Sequence, residues 1–256
     1  LSGARSAVGP APVGSFGNAT VLPFEVHVPI KSMSIAYPSR DFLIRMANGN
    51  GNSQFVGMPG SQLPGEYAAI GFDNATYAVF WEDAGSVGVL DSGDSFLISP
   101  MHGASCPTGG TYFLLYCMDR SLIAASSFGW DCASKVTMTH GTPIQSGMMG
   151  NFSSESLPIA STSAEVLPMN YIARLRVGPN LSDPVWMAMG NGSYVMMPGF
   201  QYSFGLGWAD VDQSGTVGTG DRLTVTMPST MNPGTSVTLF ILWRDGSGIA
   251  AASWTT

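Results

Sequence analysis

The residues best suited to chemistry in this chain lie in the stretch WADVDQSGTVGTGD, at residues 208–221. Oxygen-bearing side chains recur there at alternate positions, and a glycine follows the third of them. This is the ligand spacing of an EF-hand-type calcium loop, with Asp in place of the usual Glu at position 12. Numbered from the first ligand, positions 1, 3, 5, 7 and 12 are Asp210, Asp212, Ser214, Thr216 and Asp221.

Calcium binding gives this spacing a chemical reason. Calcium takes about six to eight hard oxygen ligands, and alternate side chains of a tight loop converge on one point. Thr216 would contribute its backbone carbonyl, Gly215 permits the sharp turn, and Val217 anchors the loop on the core. An ordinary polar loop with Asx turns is the alternative interpretation. Because three carboxylates on one small loop repel each other without a cation, the sequence favours calcium.

A second candidate loop occurs earlier, between Asp83 and Asp94. The sequence suggests that this loop is two residues shorter and that it has lost the Asp-x-Asp start. Asp91 and Asp94 remain as candidate ligands, and they make this the weaker of the two predicted cation sites.

Four segments recur in the same order and at similar spacing, which indicates an internal duplication. The first copy covers about residues 21–128 and the second about residues 166–254. The matching pairs are VLPF with VLPM, RMANGNGNSQFVGMPG with WMAMGNGSYVMMPG, FWEDAGSVGVLDSGDSFLIS with GWADVDQSGTVGTGDRLTVT, and GTYFLLYCMDRSLIAASSF with GTSVTLFILWRDGSGIAAASW.

Each copy has the pattern of a β-protein. Segments such as RLTVTM alternate apolar and polar residues, and 32 Gly and 17 Pro supply turns. Copies of about 90–110 residues with about seven strands fit an immunoglobulin-like sandwich, with Trp81 and Trp208 packed between the sheets. The predicted fold is therefore all-β, with two tandem immunoglobulin-like β-sandwich domains at residues 21–140 and 166–256, joined by a Ser/Thr-rich linker at residues 141–165.

Residues 1–20 consist mainly of small residues and cannot form a core of their own. We expect an extended N-terminal segment, for which two roles are open. It is either a flexible tail or a donor strand that completes the sheet of a neighbouring subunit by β-augmentation.

Composition narrows the choice of partners. The formal net charge is −7, with ten Lys and Arg residues in all, so no basic patch could neutralise several phosphates. Nucleic acid and anionic membrane surfaces are therefore disfavoured as partners. The sequence contains no apolar run of about 18 residues that could span a bilayer. It opens without Met, which suggests a mature form that has lost a leader, although a trimmed chain would look the same.

The cysteine and asparagine patterns indicate a secreted protein. Cys106 and Cys132 lie in turn-like contexts and predict one disulfide, with Cys117 buried as a free thiol; three unpaired thiols are the alternative. No Cys-x-x-Cys pair occurs, which excludes a zinc ribbon. Asn-x-Ser/Thr sequons are more frequent than chance predicts and favour a glycosylated extracellular protein. They begin at Asn18, Asn74, Asn151, Asn180 and Asn191.

Catalytic motifs do not occur in the sequence. The three histidines are far apart, and we find no nucleophile elbow, P-loop, dinucleotide-binding or His-Glu-x-x-His pattern. We therefore expect a protein that is not an enzyme, although a Ser-His-Asp site can be assembled from any order of residues. Exposed aromatic residues could stack on sugars, but more often such residues belong to the core. The candidates are Trp130, Tyr194, Phe200 and Tyr202.

The C-terminal part of the chain resembles a known kind of protein. The pattern Trp-x-Asp-x-Asp-x-Ser-Gly-x-Val-x-x-Gly-Asp-x-Leu-x-Val, followed by PGTSVTLFILWRDGSGIAAASW, is similar to the β-sandwich end of archaeal pilin-like and cell-surface proteins. The sequence lacks the apolar N-terminal helix by which such pilins polymerise, so residues 1–20 become the candidate joint. The resemblance implies an extracellular structural role and metal ligands at Asp210, Asp212, Ser214 and Asp221.

These observations combine into one expected function. We expect an extracellular structural subunit that assembles with copies of itself into a filament or surface layer. Exchange of the N-terminal strand would join the subunits, and calcium would stabilise the second domain. Low surface charge suits this role because close packing of like subunits then costs little repulsion. The alternative is a monomeric adhesin or carbohydrate-binding surface module that recognises glycans.

Overall fold

The structure, a computed structural model, describes residues 12–59, 66–102, 104, 106–107, 109–149, 151–187 and 192–256. In these ranges the regular elements are β-strands, apart from two single-turn 3₁₀ helices at Ser39–Asp41 and Pro168–Asn170. The predicted all-β fold is therefore confirmed. No helix among the described residues has the length and apolar character needed to cross a membrane. The chain divides into two compact units, Leu1–Cys132 and Ala133–Thr256.

The first unit is built from antiparallel strands. They are β1 (Gly14–Phe16), β2 (Thr20–Leu22), β3 (Glu25–Met33), β4 (Tyr37–Pro38), β5 (Phe42–Asn48), β6 (Gly51–Asn52), β7 (Val56–Gly57), β8 (Ala68–Phe72), β9 (Ala75–Glu82), β10 (Val89–Leu90), β11 (Ser95–Pro100), β12 (Thr111–Cys117) and β13 (Leu122–Phe128). One sheet has the order β1-β3-β11-β9-β8, with β2 also on β3. A second has the order β13-β12-β5-β6, with β7 also on β5, and β10 pairs with β4.

Alternation of apolar residues explains how these strands bury one face. In β5, Phe42, Ile44 and Met46 are buried, while Leu43 and Arg45 between them are half-buried. Residues of both larger sheets meet in one hydrophobic cluster, so the sheets face each other in a sandwich-like arrangement. The cluster includes Val28 and Ile98 from the first sheet and Phe42, Ile44 and Phe113 from the second.

The second unit is built in the same way. Its strands are β14 (Met138–His140), β15 (Ile144–Met149), β16 (Phe152–Thr162), β17 (Tyr171–Val177), β18 (Asn180–Leu181), β19 (Val185–Trp186), β20 (Tyr194–Met197), β21 (Phe204–Ala209), β22 (Arg222–Pro228), β23 (Ser236–Trp243) and β24 (Gly248–Thr255). One sheet has the order β14-β16-β22-β21-β20, with β15 also on β16. The other has the order β18-β17-β23-β24, with β19 also on β17.

The two units repeat each other strand by strand. Strands β3, β5, β9, β11, β12 and β13 of the first correspond to β16, β17, β21, β22, β23 and β24 of the second, in chain order and in sheet order. Hydrogen bonds repeat as well: the hydroxyls of Ser15 and Ser32 lie 2.7 Å apart, and those of Thr139 and Ser161 lie 2.6 Å apart. The repeat therefore begins earlier than the sequence suggests, because β1 and β2 correspond to β14 and β15. Since β2 corresponds to β15 and β5 to β17, the sequence matches of VLPF with VLPM and of RMANGNGNSQFVGMPG with WMAMGNGSYVMMPG are wrong.

The predicted N-terminal segment, residues 1–20, is only partly described. Its first eleven residues lie outside the described ranges. In the remainder, β1 pairs antiparallel with β3, with Gly14 opposite Met33 and Phe16 opposite Ile30. Residue Thr20 begins β2, which also pairs with β3. In this structure the segment therefore completes the sheet of its own chain.

The predicted linker at residues 141–165 is wrong, and so are the domain limits beside it. Strand β16 pairs with β22 along seven residues, and β15 pairs with β16. The Ser/Thr-rich composition misleads because most Ser and Thr residues of β16 are exposed or half-buried, although Ser156 is buried beside Leu157 and Ile159. The first unit ends at Cys132 instead of residue 140, and the second begins at Ala133 instead of residue 166.

Candidate metal centre

The loop between β21 and β22 brings the predicted acidic ligands together. Carboxylate oxygens of Asp210, Asp212 and Asp221 lie within 4.8 Å of one another. Asp210 and Asp221 are buried, whereas Asp212 is exposed. Among the residues that the structure describes, this is the one group of three or more acidic, His or Cys side chains close enough to hold a metal ion.

Two left-handed residues shape the turn. Gln213 has φ of 63° and Gly215 has φ of 77°. Around them the backbone N–H of Ser214 donates to Asp210 Oδ1 at 3.1 Å and to Asp212 Oδ1 at 3.0 Å. The N–H of Gly215 donates to Asp210 Oδ2 at 2.8 Å. The first two carboxylates are therefore drawn toward the same point of the backbone, as the sequence spacing predicts.

The predicted oxygen ligands at positions 5 and 7 lie beside each other. Ser214 Oγ donates to the Thr216 carbonyl at 3.2 Å, and the two hydroxyls are 2.9 Å apart. The loop thus offers carboxylate, hydroxyl and carbonyl oxygens, which are the donors that calcium prefers. The residues fit a hard divalent cation, and oxygen ligands alone do not distinguish calcium from other hard cations.

Asp221 has a different role from the one predicted for position 12. Its Oδ1 accepts the N–H of Val211 at 2.9 Å, and its Oδ2 accepts the N–H of Gly218 at 2.8 Å and the indole Nε1–H of Trp208 at 3.4 Å. A carboxylate has about four lone-pair sites, so three donors leave about one for a cation. Asp221 therefore anchors the loop and keeps room for about one bond to a cation.

The pKa values of Asp210 and Asp212 are shifted in opposite directions. Burial raises the pKa of Asp210, and the nearby carboxylates of Asp212 and Asp221 raise it further, against the lowering effect of the Gly215 N–H. The Ser214 N–H lowers the pKa of Asp212. A negative charge is therefore least favourable at Asp210, and either a proton or a cation there would relieve the repulsion between the carboxylates.

The loop in the first unit has the same length, so the predicted two-residue deletion is wrong. Trp81 and Asp94 are separated by 13 residues, as are Trp208 and Asp221. Asp94 Oδ2 accepts the N–H of Asp91 at 3.0 Å and the indole N–H of Trp81 at 3.2 Å, and Oδ1 accepts the N–H of Ala84 at 3.0 Å. Burial raises the pKa of Asp94. We name this arrangement, present in both units, the Trp–Asp clamp.

The first loop lacks the other ligands of the second. Gly85 and Val87 stand where the second loop has Asp212 and Ser214, and Asp83 stands in place of Asp210. The N–H of Gly88 donates to Asp83 Oδ2 at 2.6 Å, which repeats the bond between Gly215 and Asp210. The weaker cation site predicted at Asp91 and Asp94 therefore gains no support, because this loop brings no three acidic side chains together among the described residues.

Sequence reasoning missed the clamp but placed its tryptophans correctly. Trp81 and Trp208 are buried, as predicted for residues between the sheets. The signal that could have found the clamp is a Trp followed by an Asp 13 residues later in both copies. Two residues 13 positions apart cannot contact each other within a single strand. They come together only when two antiparallel strands pair and the loop between them returns the chain.

The structure joins Cys106 to Cys132 in a disulfide with a Cα–Cα distance of 6.2 Å. Cys117 is a free thiol and is half-buried rather than buried as predicted. Burial raises the pKa of this thiol. The sequon residue Asn191 lies outside the described residues. The other four sequon residues are exposed and accessible to modification: Asn18, Asn74, Asn151 and Asn180.

The aromatic candidates for sugar stacking divide into two groups. Trp130 packs against the core of the first unit and donates its indole N–H to Thr111 Oγ1 at 3.0 Å. Phe200 contacts Phe204, with ring centroids 4.7 Å apart. Tyr194 and Tyr202 are exposed.

One polar cluster was not predicted. His27 Nε2 lies 3.0 Å from Glu82 Oε2, and the Ser95 hydroxyl donates to the same oxygen. The carboxylate therefore stands between the imidazole and the hydroxyl. In a Ser-His-acid triad the imidazole must contact the hydroxyl to take its proton, so this arrangement does not supply an activated nucleophile.

The fold and the loop together define a class: a duplicated all-β protein with an oxygen-rich acidic loop in its second unit. The chain matches no protein-family model and no curated protein. The resemblance to archaeal pilin-like and cell-surface proteins therefore stays a prediction, and the function is argued from the geometry alone.

Proposed function

We propose that this chain is an extracellular structural subunit that assembles with copies of itself by exchanging strand β1, and that a calcium ion bound at residues 210–221 stiffens its second unit. The observation that carries the proposal is the seat of β1. This short strand occupies the edge of a sheet and inserts an aromatic side chain into the core, so it can be supplied equally well by a neighbouring copy.

The contacts of β1 depend on the sizes of its side chains. The Phe16 ring lies 5.7 Å from the ring of Phe113 and 6.1 Å from that of Phe96, measured between centroids. A Cβ at Gly14 would lie 2.6 Å from Met33 Sδ and 3.1 Å from the Ser32 carbonyl oxygen, so a larger residue here would require the Met33 side chain to move. The strand is thus a small plug with one large apolar side chain and a tight backbone fit.

The energetics favour exchange over simple dissociation. Fully burying a Phe side chain contributes about 1.5–3 kcal/mol. Phe16 is half-buried, so withdrawing β1 would lose part of this free energy together with its ladder hydrogen bonds. A copy of β1 from another chain restores the same contacts, which is why swapping an identical element joins subunits at low cost. The second unit of the same chain supports this reasoning, since β14 pairs with β16 there as β1 pairs with β3 in the first unit.

The calcium part of the proposal is supported by the comparison of the two loops. Both loops have the same length and the same clamp, yet only the second carries Asp212 and Ser214. These two residues are therefore not needed to fold the loop. Their side chains supply oxygens at the predicted ligand positions, which favours a cation as the reason for their presence.

Two features support an extracellular setting, and a third supports close packing of copies. Disulfides persist in oxidising compartments, and the structure contains one between Cys106 and Cys132. Four sequon residues are exposed. The charge is low for the length, at 11% charged residues against a typical value of about 25%, so copies can pack closely.

Cross-linking tests the exchange directly. Ser15 and Ser32 face each other across β1 and β3 with their hydroxyls 2.7 Å apart. In a Cys117→Ser background, a Ser15→Cys chain and a differently tagged Ser32→Cys chain are mixed, refolded and oxidised. We expect a disulfide between the two chains on a non-reducing gel, together with filaments or layers of the parent chain in electron micrographs.

The matched control uses the second unit. Thr139 and Ser161 face each other in the same way on β14 and β16. Along the chain, however, β14 is preceded by β13 and followed by β15. Chains with Thr139→Cys and Ser161→Cys should not cross-link to each other. If the Ser15 and Ser32 chains also fail to link, while a doubly substituted Ser15→Cys, Ser32→Cys chain closes on itself and still assembles like the parent, strand exchange is wrong.

A further inference from the structure

A polar cleft opens in the first unit where two turns meet. One turn joins β5 to β6 and the other joins β8 to β9. The cleft has a volume of about 350 Å³, which lies within the usual range of about 300–1,000 Å³ for small-molecule sites. Its polar side chains are Asn48, Asn50, Asn52, Asp73 and Asn74.

Hydrogen bonds within and between the turns hold the walls of the cleft. Asn48 Oδ1 accepts the backbone N–H of Asn50 at 2.8 Å and of Gly51 at 3.0 Å. Asn48 Nδ2 also donates to Asp73 Oδ2 at 3.5 Å, from one turn to the other. Asp73 and Asn74 have φ of 51° and 61°, the conformation of a tight hairpin turn. The walls are therefore set before any ligand arrives.

The chemistry of the lining selects a neutral ligand with many hydroxyls. Each amide side chain offers both donors and an acceptor, and the Asp73 carboxylate offers acceptors. The residues that line the cleft include no Lys, Arg or His. An anion would meet the charge of Asp73 with no cation to balance it. A sugar hydroxyl both donates and accepts, and so matches amides and carboxylate alike.

The duplication supplies an internal comparison. Strand β5 with β6 corresponds to β17 with β18, so Asn48 and Asn52 correspond to Val177 and Leu181. Asn50, in the turn between them, corresponds to Pro179. The same hairpin thus forms in the second unit without the amide side chains. The fold of the hairpin does not require Asn50 and Asn52, and a ligand gives a reason for both, whereas Asn48 also holds its own turn.

We propose that this cleft is a binding site for a neutral saccharide. The sugar has two possible sources with the same chemistry. It is either the first residue of a glycan attached to the chain's own Asn74, which is a predicted sequon at the wall of the cleft, or a free saccharide from outside. The proposal is independent of strand exchange and of calcium. It names the place where a sugar would bind if the chain has the alternative function, that of a carbohydrate-binding surface module.

Nuclear magnetic resonance distinguishes the two sources. The unglycosylated ¹⁵N-labelled chain is titrated with glucose, galactose, mannose and N-acetylglucosamine, and the same chain is prepared with Asn74 glycosylated. For a free-sugar site, amide shifts at residues 48–52 and 71–75 follow the added sugar. For the chain's own glycan, glycosylation itself shifts the amides at residues 50–52, and added sugar then shifts nothing.

Variants separate binding from folding. Asn50→Ala with Asn52→Ala should weaken the response about tenfold or more, because the hydrogen bonds to the sugar are lost, while Asn48 is kept to hold the turn. The control is Asn180→Ala in the equivalent hairpin of the second unit, which should leave the response unchanged. If neither added sugar nor glycosylation shifts the amides at residues 50–52, or if the double variant responds like the parent, the proposal is overturned.

Discussion

The Trp–Asp clamp should be a main determinant of the stability of each unit. We consider the substitution Asp221→Ala. It removes the acceptor for the N–H groups of Val211 and Gly218 and for the indole N–H of Trp208. Trp208 and Gly218 are buried, whereas Val211 is exposed, so two of the three released donors have no ready access to water.

The magnitude follows from the number of donors left without a partner. An unsatisfied buried donor costs about 1–3 kcal/mol. Two of these donors are buried and the indole bond is long, which places the expected loss at about 2–4 kcal/mol. A domain of this size has a free energy of unfolding of about 5–15 kcal/mol, so the loss at the middle of both ranges is about a third of the stability of the second unit. Its melting temperature should fall by about 10 °C or more.

Differential scanning calorimetry in calcium-free buffer measures this change. Asp94→Ala is the matched variant, because it removes the same three bonds from the first unit. Asp212→Ala is the control, because its side chain is exposed and should change stability by less than about 1 kcal/mol. A loss below about 1 kcal/mol for Asp221→Ala would refute the clamp as a stabilising device.

Three further predictions concern the rest of the molecule. Calcium at about 100 times its dissociation constant should stabilise the second unit by about 2.7 kcal/mol, and Asp212→Ala should abolish the rise in melting temperature; a parent chain that shows no rise would exclude the site. Replacing Cys106 and Cys132 by Ser should cost roughly 3.5 kcal/mol in urea unfolding, from the chain-entropy relation for a closed loop of 26 residues; a loss below about 1 kcal/mol would contradict it. Lys135 and the Ser247 donors lower the pKa of Asp245 from 3.8 to about 2. Its contribution is therefore present above pH 3.8 and is lost as pH falls through about 2, so Asp245→Asn should cost under about 1 kcal/mol at pH 7 and nothing at pH 2, and an undiminished difference at pH 2 would contradict this origin.

The sequence predicted the acidic loop because its information is local. Side chains at alternate positions of a tight turn point toward one side, and the left-handed Gly215 was identifiable from its residue type. The role of Asp221 was not predictable in this way. Its partners, Val211 and Trp208, belong to the other side of the loop, and only the pairing of β21 with β22 brings them to it.

The strand composition explains the wrong linker. Strand β16 is an inner strand, yet most of its residues from Phe152 to Thr162 are small or polar, and the residues facing the core are few. Strand β1 misled for a related reason: GSF has little apolar content, and its match with MTH in the second unit is visible only through the hydrogen bonds of Ser15 and Thr139. Both segments, β16 and β1, were therefore recognisable as strands only from the strands that they pair with, which are distant in sequence.

The enclosed position of β14 limits how such subunits could join. Folded elements of the same chain precede and follow it, so the groove on β16 stays filled by its own strand. Under the proposed exchange, β1 is the donor and the groove on β3 is the acceptor, which gives each chain one of each. A polymer grown by this rule is a single unbranched line with distinct ends, and any wider layer must come from lateral contacts between finished lines.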